Sequence, residues 1–95
     1  MKAIYKYPLV SEVEQQQIHL RKGSEILSVM EQRGDIVLYA RVDPASSLPE
    51  QRVTVWIYTT GSALYCPGEA RFLGTVSLRG GGLVYHVFVE EPTLP

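Results

Sequence analysis

The segment Val53-Thr54-Val55-Trp56-Ile57-Tyr58 constrains this chain most, because its side chains sort by strict alternation. Val53, Val55 and Ile57 fall on one face of an extended segment, and Thr54, Trp56 and Tyr58 fall on the other. Strand side chains alternate faces, whereas one face of a helix recurs about every 3.6 residues. The segment reads as a strand with two partly apolar faces. Leu83, Tyr85, Val87 and Val89 alternate with Val84, His86 and Phe88 in the same way. β-Branched and aromatic residues dominate both runs, and such residues pack well on a pleated surface.

Turn residues divide the remainder into lengths that suit short strands. Gly23 separates Ile18–Arg21 from a longer strand, Glu25–Gln32. Arg33-Gly34 closes a hairpin onto Asp35–Val42, since glycine accepts the positive φ of a tight hairpin turn. Arg33-Gly34-Asp35 is also the cell-adhesion tripeptide, but between two strands it reads as a turn. Asp43-Pro44 ends that strand, and Ala45 to Gln51, with Pro49, reads as a loop. Thr59-Thr60-Gly61 ends the Val53–Tyr58 strand. Cys66-Pro67-Gly68-Glu69 marks a turn within a longer loop, Arg71–Leu78 follows, and Gly80-Gly81-Gly82 joins it to the last strand. With Tyr5 and Tyr7 in an N-terminal strand, the total is about seven. This spacing predicts an all-β fold, a small antiparallel sandwich or barrel-like domain. Ser11–Gln17 has fair helix propensity, but a helix so short is not stable unaided, so it reads as a turn or loop with at most one helical turn.

The chain has 95 residues, which fits a single domain over 1–95, with 92–95 expected to be a frayed tail. Its 45% hydrophobic and 20% charged residues are ordinary for a globular protein and argue against disorder. A formal net charge of −1 supplies no strong field, so no long nucleic acid is expected as a partner. Cys66 is the only cysteine, which excludes an intramolecular disulfide and suits a reducing compartment. The N-terminus carries charge and aromatic rings where a signal peptide needs an apolar run. No apolar stretch has the length to span a bilayer, so no membrane partner is expected and a cytosolic place is.

The candidate chemistry is sparse. His86 lies mid-strand on the Val84/Phe88 face. No metal ligand stands at a suitable spacing, so neither a metal nor another cofactor is expected. Its ring nitrogens are expected to be satisfied by neighbours. Cys66 with His86 as base would make a nucleophile only if the fold brought them together beside an orienting group. The run Gly80–Gly82 beside Arg79 can be read as an anion-binding nest, but no helix follows it and it matches no phosphate loop, so it reads as a hairpin. The better candidate is Thr59-Thr60-Gly61-Ser62, three hydroxyls and a glycine at the end of a strand. Tyr58, Tyr65 and Arg71 flank it. Such rings can stack a base while the arginine takes a phosphate, and His86 can stack on or bond the same ligand. The plain alternative is a polar connection whose threonines satisfy their own backbone. The candidate ligand-binding set is Tyr58, Thr59, Thr60, Gly61, Tyr65, Arg71 and His86, and no catalytic residue is assigned. Six tyrosines and one tryptophan exceed what one small core buries, which predicts a homo-oligomer.

Several blocks resemble a family of short tailed-phage and prophage proteins, a domain of unknown function. They are Met1-Lys2-Ala3-Ile4-Tyr5-Lys6-Tyr7-Pro8-Leu9, Leu20-Arg21-Lys22-Gly23-Ser24-Glu25-Ile26-Leu27-Ser28-Val29, Ile57-Tyr58-Thr59-Thr60-Gly61, Phe72-Leu73-Gly74-Thr75-Val76 and Gly82-Leu83-Val84-Tyr85-His86-Val87-Phe88. They occur in the same order and cover most of the chain. The resemblance carries no catalytic residues. It implies a glycine where this chain has Thr59, which weakens any loop chemistry built on a glycine there. It also implies a phage setting in the host cytoplasm. The expected function is a small binding protein, a counter-defence protein that sequesters a nucleotide signal or blocks a host defence protein. A virion structural or assembly accessory is the alternative. An enzyme is not expected, because clustered acids, histidines and cysteines are lacking.

Overall fold

The structure, a computed structural model, describes residues 1–91. It contains seven strands: β1 (Ala3–Leu9), β2 (Gln15–Arg21), β3 (Glu25–Gln32), β4 (Asp35–Val42), β5 (Glu50–Thr59), β6 (Arg71–Leu78) and β7 (Leu83–Glu90). They form two sheets, β1-β4-β3 and β2-β5-β7-β6, with every pairing antiparallel. The sheets pack as a sandwich, the first of the two architectures expected. The tail expected at 92–95 lies outside the described residues. No helix among the described residues is long and apolar enough to cross a membrane.

The core is the alternation realised. Ile36, Leu38, Ala40 and Val42 of β4 face Val53, Val55 and Ile57 of β5 and Tyr85, Val87 and Val89 of β7, all buried in one cluster. The Arg33-Gly34 hairpin forms as expected. Both residues have positive φ, 53° and 85°, which suits a two-residue turn whose twist matches that of the strands.

Two expectations need correction: Ala45 to Gln51 is not a loop throughout, because β5 begins at Glu50, opposite Arg21. Ser11–Gln17 is not a turn throughout, because β2 begins at Gln15, opposite Trp56. The alternation was hidden by Gln16, which pairs with buried Val55 on the inward side. Its amide bonds the backbone of Val10 and Val13 instead, which satisfies its polar atoms locally.

Two features position the site. The first is the course of residues 60–70. β5 and β6 both run antiparallel to β7, so they run parallel to each other. The connection between them must therefore travel back along the sheet. It passes over the outer face, where the Tyr65 N–H donates to the Tyr58 hydroxyl at 3.0 Å. The second is a bulge between Phe72 and Gly74. A bulge reverses which residues of a strand face outward. Val76 and Gly74 share the inward side with Tyr85 and Val87, yet Phe72 stands opposite Phe88 on the outward side.

Candidate functional site

The outer face of the four-stranded sheet carries an aromatic row. Trp56 and Tyr58 stack with ring centroids 6.3 Å apart, Tyr58 meets Phe88 edge-on at 6.2 Å, and Phe88 meets Phe72 edge-on at 5.4 Å. These separations lie in the range where aromatic pairs attract beyond simple burial. Trp56 and Tyr58 are buried, although they point away from the inter-sheet core. The 60–70 crossover holds Tyr58. Burial raises its phenol above the ordinary value of 10.0, and neighbouring Cys66 acts in the same direction, against the lowering effect of the Tyr65 and Cys66 backbone N–H groups. A second set of bonds fixes the start of the crossover. Thr60 Oγ1 lies 2.8 Å from Nε2 of His86, whose Nδ1 lies 3.0 Å from Thr75 Oγ1. Thr59 Oγ1 and Ser62 Oγ are 2.7 Å apart. Gly61, at φ 92°, permits the tight turn between them.

Between the crossover and the row lies an open depression of about 260 Å³, lined by Tyr58, Thr59, Thr60, Gly61, Ser62, Leu64, Phe72, His86 and Phe88. Its floor is aromatic and its rim is hydroxyl and imidazole. Phe72 and Leu64 are 53% and 59% exposed.

The fold thus gathers five of the expected ligand residues, Tyr58, Thr59, Thr60, Gly61 and His86. Tyr65 bonds Tyr58 through its backbone but does not line the depression. Arg71 is not there either. It stands opposite Val89, on the inward side, and its guanidinium pairs with Glu91 at 2.7 Å. The pair Cys66–His86 does not form: both imidazole nitrogens are taken by threonines, and Cys66 lies beside the Tyr58 hydroxyl. Among the described residues no three of His, Cys, Asp and Glu gather to hold a metal. Reading from sequence named Ser62 with its loop but missed Phe72, Phe88 and Leu64 as site residues. Alternation placed Phe88 on the face of His86 without marking it as a site residue, and the bulge that gives Phe72 its place is hinted at only by Gly74, since a glycine inside a strand often marks one.

Comparison with known proteins gives a family match: the model described as "Domain of unknown function (DUF7352)" matches residues 1–94. No curated protein and no solved structure matches.

Proposed function

The chain belongs to the DUF7352 family, a domain of unknown function, and from that premise we propose that it is a binding protein whose outer-face depression receives a flat apolar group presented by a protein partner. The observation that carries this reading is an aromatic floor with no permanently charged side chain around it. A nucleotide brings phosphates, and phosphates are held by paired cations or by clustered N–H donors. The expected cation, Arg71, is engaged with Glu91 elsewhere. Size points the same way. At about 260 Å³ the depression falls below the roughly 300–1,000 Å³ of small-molecule pockets. It suits one aromatic or branched side chain, with the remaining hydrogen-bonding capacity of the Thr60 and Ser62 hydroxyls available to polar atoms around it.

The blocks that resemble tailed-phage proteins support a counter-defence setting. There the partner is a host defence protein in the host cytoplasm, and the chain acts by blocking it. His86 supports holding rather than turnover, because both of its nitrogens are engaged within the chain.

Two measurements test the reading. Calorimetric titration with linear and cyclic nucleotides is expected to give no heat; saturable heat that vanishes in Phe72→Glu returns the function to nucleotide sequestration. Affinity purification from host cells is expected to retain one protein with the wild-type chain and to lose it with Phe72→Glu. Equal retention by the variant removes the depression from the function. Recovery of the chain only in assembled phage particles supports the virion accessory role instead.

A further inference from the structure

The four sheet edges of this sandwich are not protected alike. β3 and β6 carry bulges, at Ile26/Ser28 and Phe72/Gly74, and lie against each other along one side of the sandwich. β1 carries Pro8, which has no N–H to offer, and the exposed cation Lys6. Bulges, prolines and lysines are the usual devices that keep an edge from recruiting another strand. β2 has none of them. Its register with β5 is unbroken over seven residues, it contains neither Pro nor Lys, and β5 is its one strand partner among the described residues.

The direction of its free backbone groups follows from two bonds at its ends. The Ile57 N–H donates to the Glu14 carbonyl at 2.8 Å, and the Lys22 N–H donates to the Pro49 carbonyl at 2.9 Å. Bonded residues alternate along an antiparallel ladder. Even-numbered residues of β2 therefore bond β5, and the N–H and C=O of Gln15, Gln17 and His19 and the N–H of Arg21 point off the sheet; the Arg21 carbonyl accepts the Ser24 N–H at 3.0 Å.

We propose that this edge pairs with β2 of a second copy of the chain, antiparallel and centred on Ile18. In that register Gln15 faces Arg21 of the other copy and Gln17 faces His19. All of these are odd-numbered, so the new ladder uses groups that β5 leaves free: both Gln17–His19 pairs in full, and each Gln15–Arg21 pair through the Arg21 N–H, since the Arg21 carbonyl already accepts from Ser24. The two Ile18 side chains meet on the inward side, where Ile18 is already part of the core. No like charges stand opposite each other. The two Arg21 residues fall at opposite ends of the seam, roughly 20 Å apart, beyond the reach of unscreened repulsion at physiological salt. The result joins two four-stranded sheets into one of eight strands. An interface of two seven-residue strands is small, so dimers form in the micromolar range rather than below it. The proposal is independent of the outer-face depression and stands or falls separately from it.

The test is sedimentation equilibrium on the full chain across micromolar concentrations. The wild-type chain is expected to shift from 10.6 kDa toward twice that mass. Gln17→Glu with His19→Glu places carboxylates opposite each other at two positions of the dimer. In the monomer both sites are exposed, and position 19 faces Arg52 favourably. This variant is expected to raise the dimer dissociation constant at least about tenfold. Gln17→Lys with His19→Glu turns both repulsions into attractions and is expected to restore wild-type association. A wild-type chain that stays monomeric overturns the proposal and leaves the edge to some other strand. So does a double-glutamate variant that dimerises unchanged, or a charge-swapped variant as weak as the double glutamate.

Discussion

Thr60 Oγ1 sits 2.8 Å from Nε2 of His86, a bond between residues 26 positions apart. It fastens the first turn of the 60–70 crossover to β7, and Thr75 holds the same ring from β6. A neutral imidazole has one donor and one acceptor nitrogen, and a hydroxyl can complement either. The ring thus links three segments without needing a charge. His86→Ala is expected to destabilise the fold by only about 1 kcal/mol, because water can replace the lost partners of two exposed threonines. Its local effect is larger. Amide hydrogen exchange of residues 61–65 is expected to accelerate while β4 stays protected. Unchanged exchange in 61–65 shows that the bond does not hold the crossover.

Gly74 is the tightest glycine in the sandwich. A Cβ there would stand 3.0 Å from Cγ1 of Val29, across the β3–β6 closure. Valine is stiff about χ1 and gives little. Gly74→Ala is expected to cost about 1–3 kcal/mol, read as a lower urea midpoint at unchanged m-value. Val29→Ala in the same chain removes the contact, so the double variant should lose less than the two single losses summed. Strict additivity would place the cost of Gly74→Ala elsewhere.

Tyr58 predicts an alkaline response. Its folded-state phenol holds the proton to higher pH than the unfolded chain does, chiefly through burial. The stability this contributes is complete below about pH 10 and is lost as pH rises through the raised folded value. Tyr58→Phe removes that slope, leaving a shallower decline from Tyr7, which is also raised by burial and by the nearby Tyr5 and Glu50. At neutral pH the variant loses the bond from the Tyr65 N–H and about 1 kcal/mol. Denaturant midpoints between pH 8 and pH 11 check both statements; equal alkaline slopes in the two proteins would exclude Tyr58 as the source.

Arg71 should matter little. Its partner Glu91 and its own side chain are each about half exposed, at 50% and 48%, and exposed pairs contribute roughly 0–1 kcal/mol. Arg71→Ala is expected to leave partner retention unchanged and to shift the urea midpoint only slightly. A loss of partner binding as large as that of Phe72→Glu would bring the arginine back into the site.

Much of the fold was legible because alternation is a local signal. Val53, Val55 and Ile57 declare a buried face, Arg33-Gly34 declares a hairpin, and no distant residue is needed to read either. The start of β2 was not legible, since Gln16 faces inward as a polar residue and is tolerated only because Val10 and Val13 bond its amide. The tyrosine surplus gave no sign of which rings the chain covers by itself. Trp56 and Tyr58 are buried on the outer face, with the chain's own crossover bonded to Tyr58, whereas Tyr5 and Tyr65 stay exposed.

By itself, then, the sequence determined the all-β class and the seven strands, and it pointed to the stretch from Tyr58 onward as the candidate site. Those follow from side-chain period and turn chemistry, which act over a few residues. Only the tertiary structure decided which residues share the site. One bulged residue between Phe72 and Gly74 turned Phe72 onto the aromatic face and left Arg71 opposite Val89. Gly74 inside β6 hints that a bulge can form there, but which side chains it turns outward is set by how β6 registers against β7 while closing on β3, contacts that lie outside β6 itself.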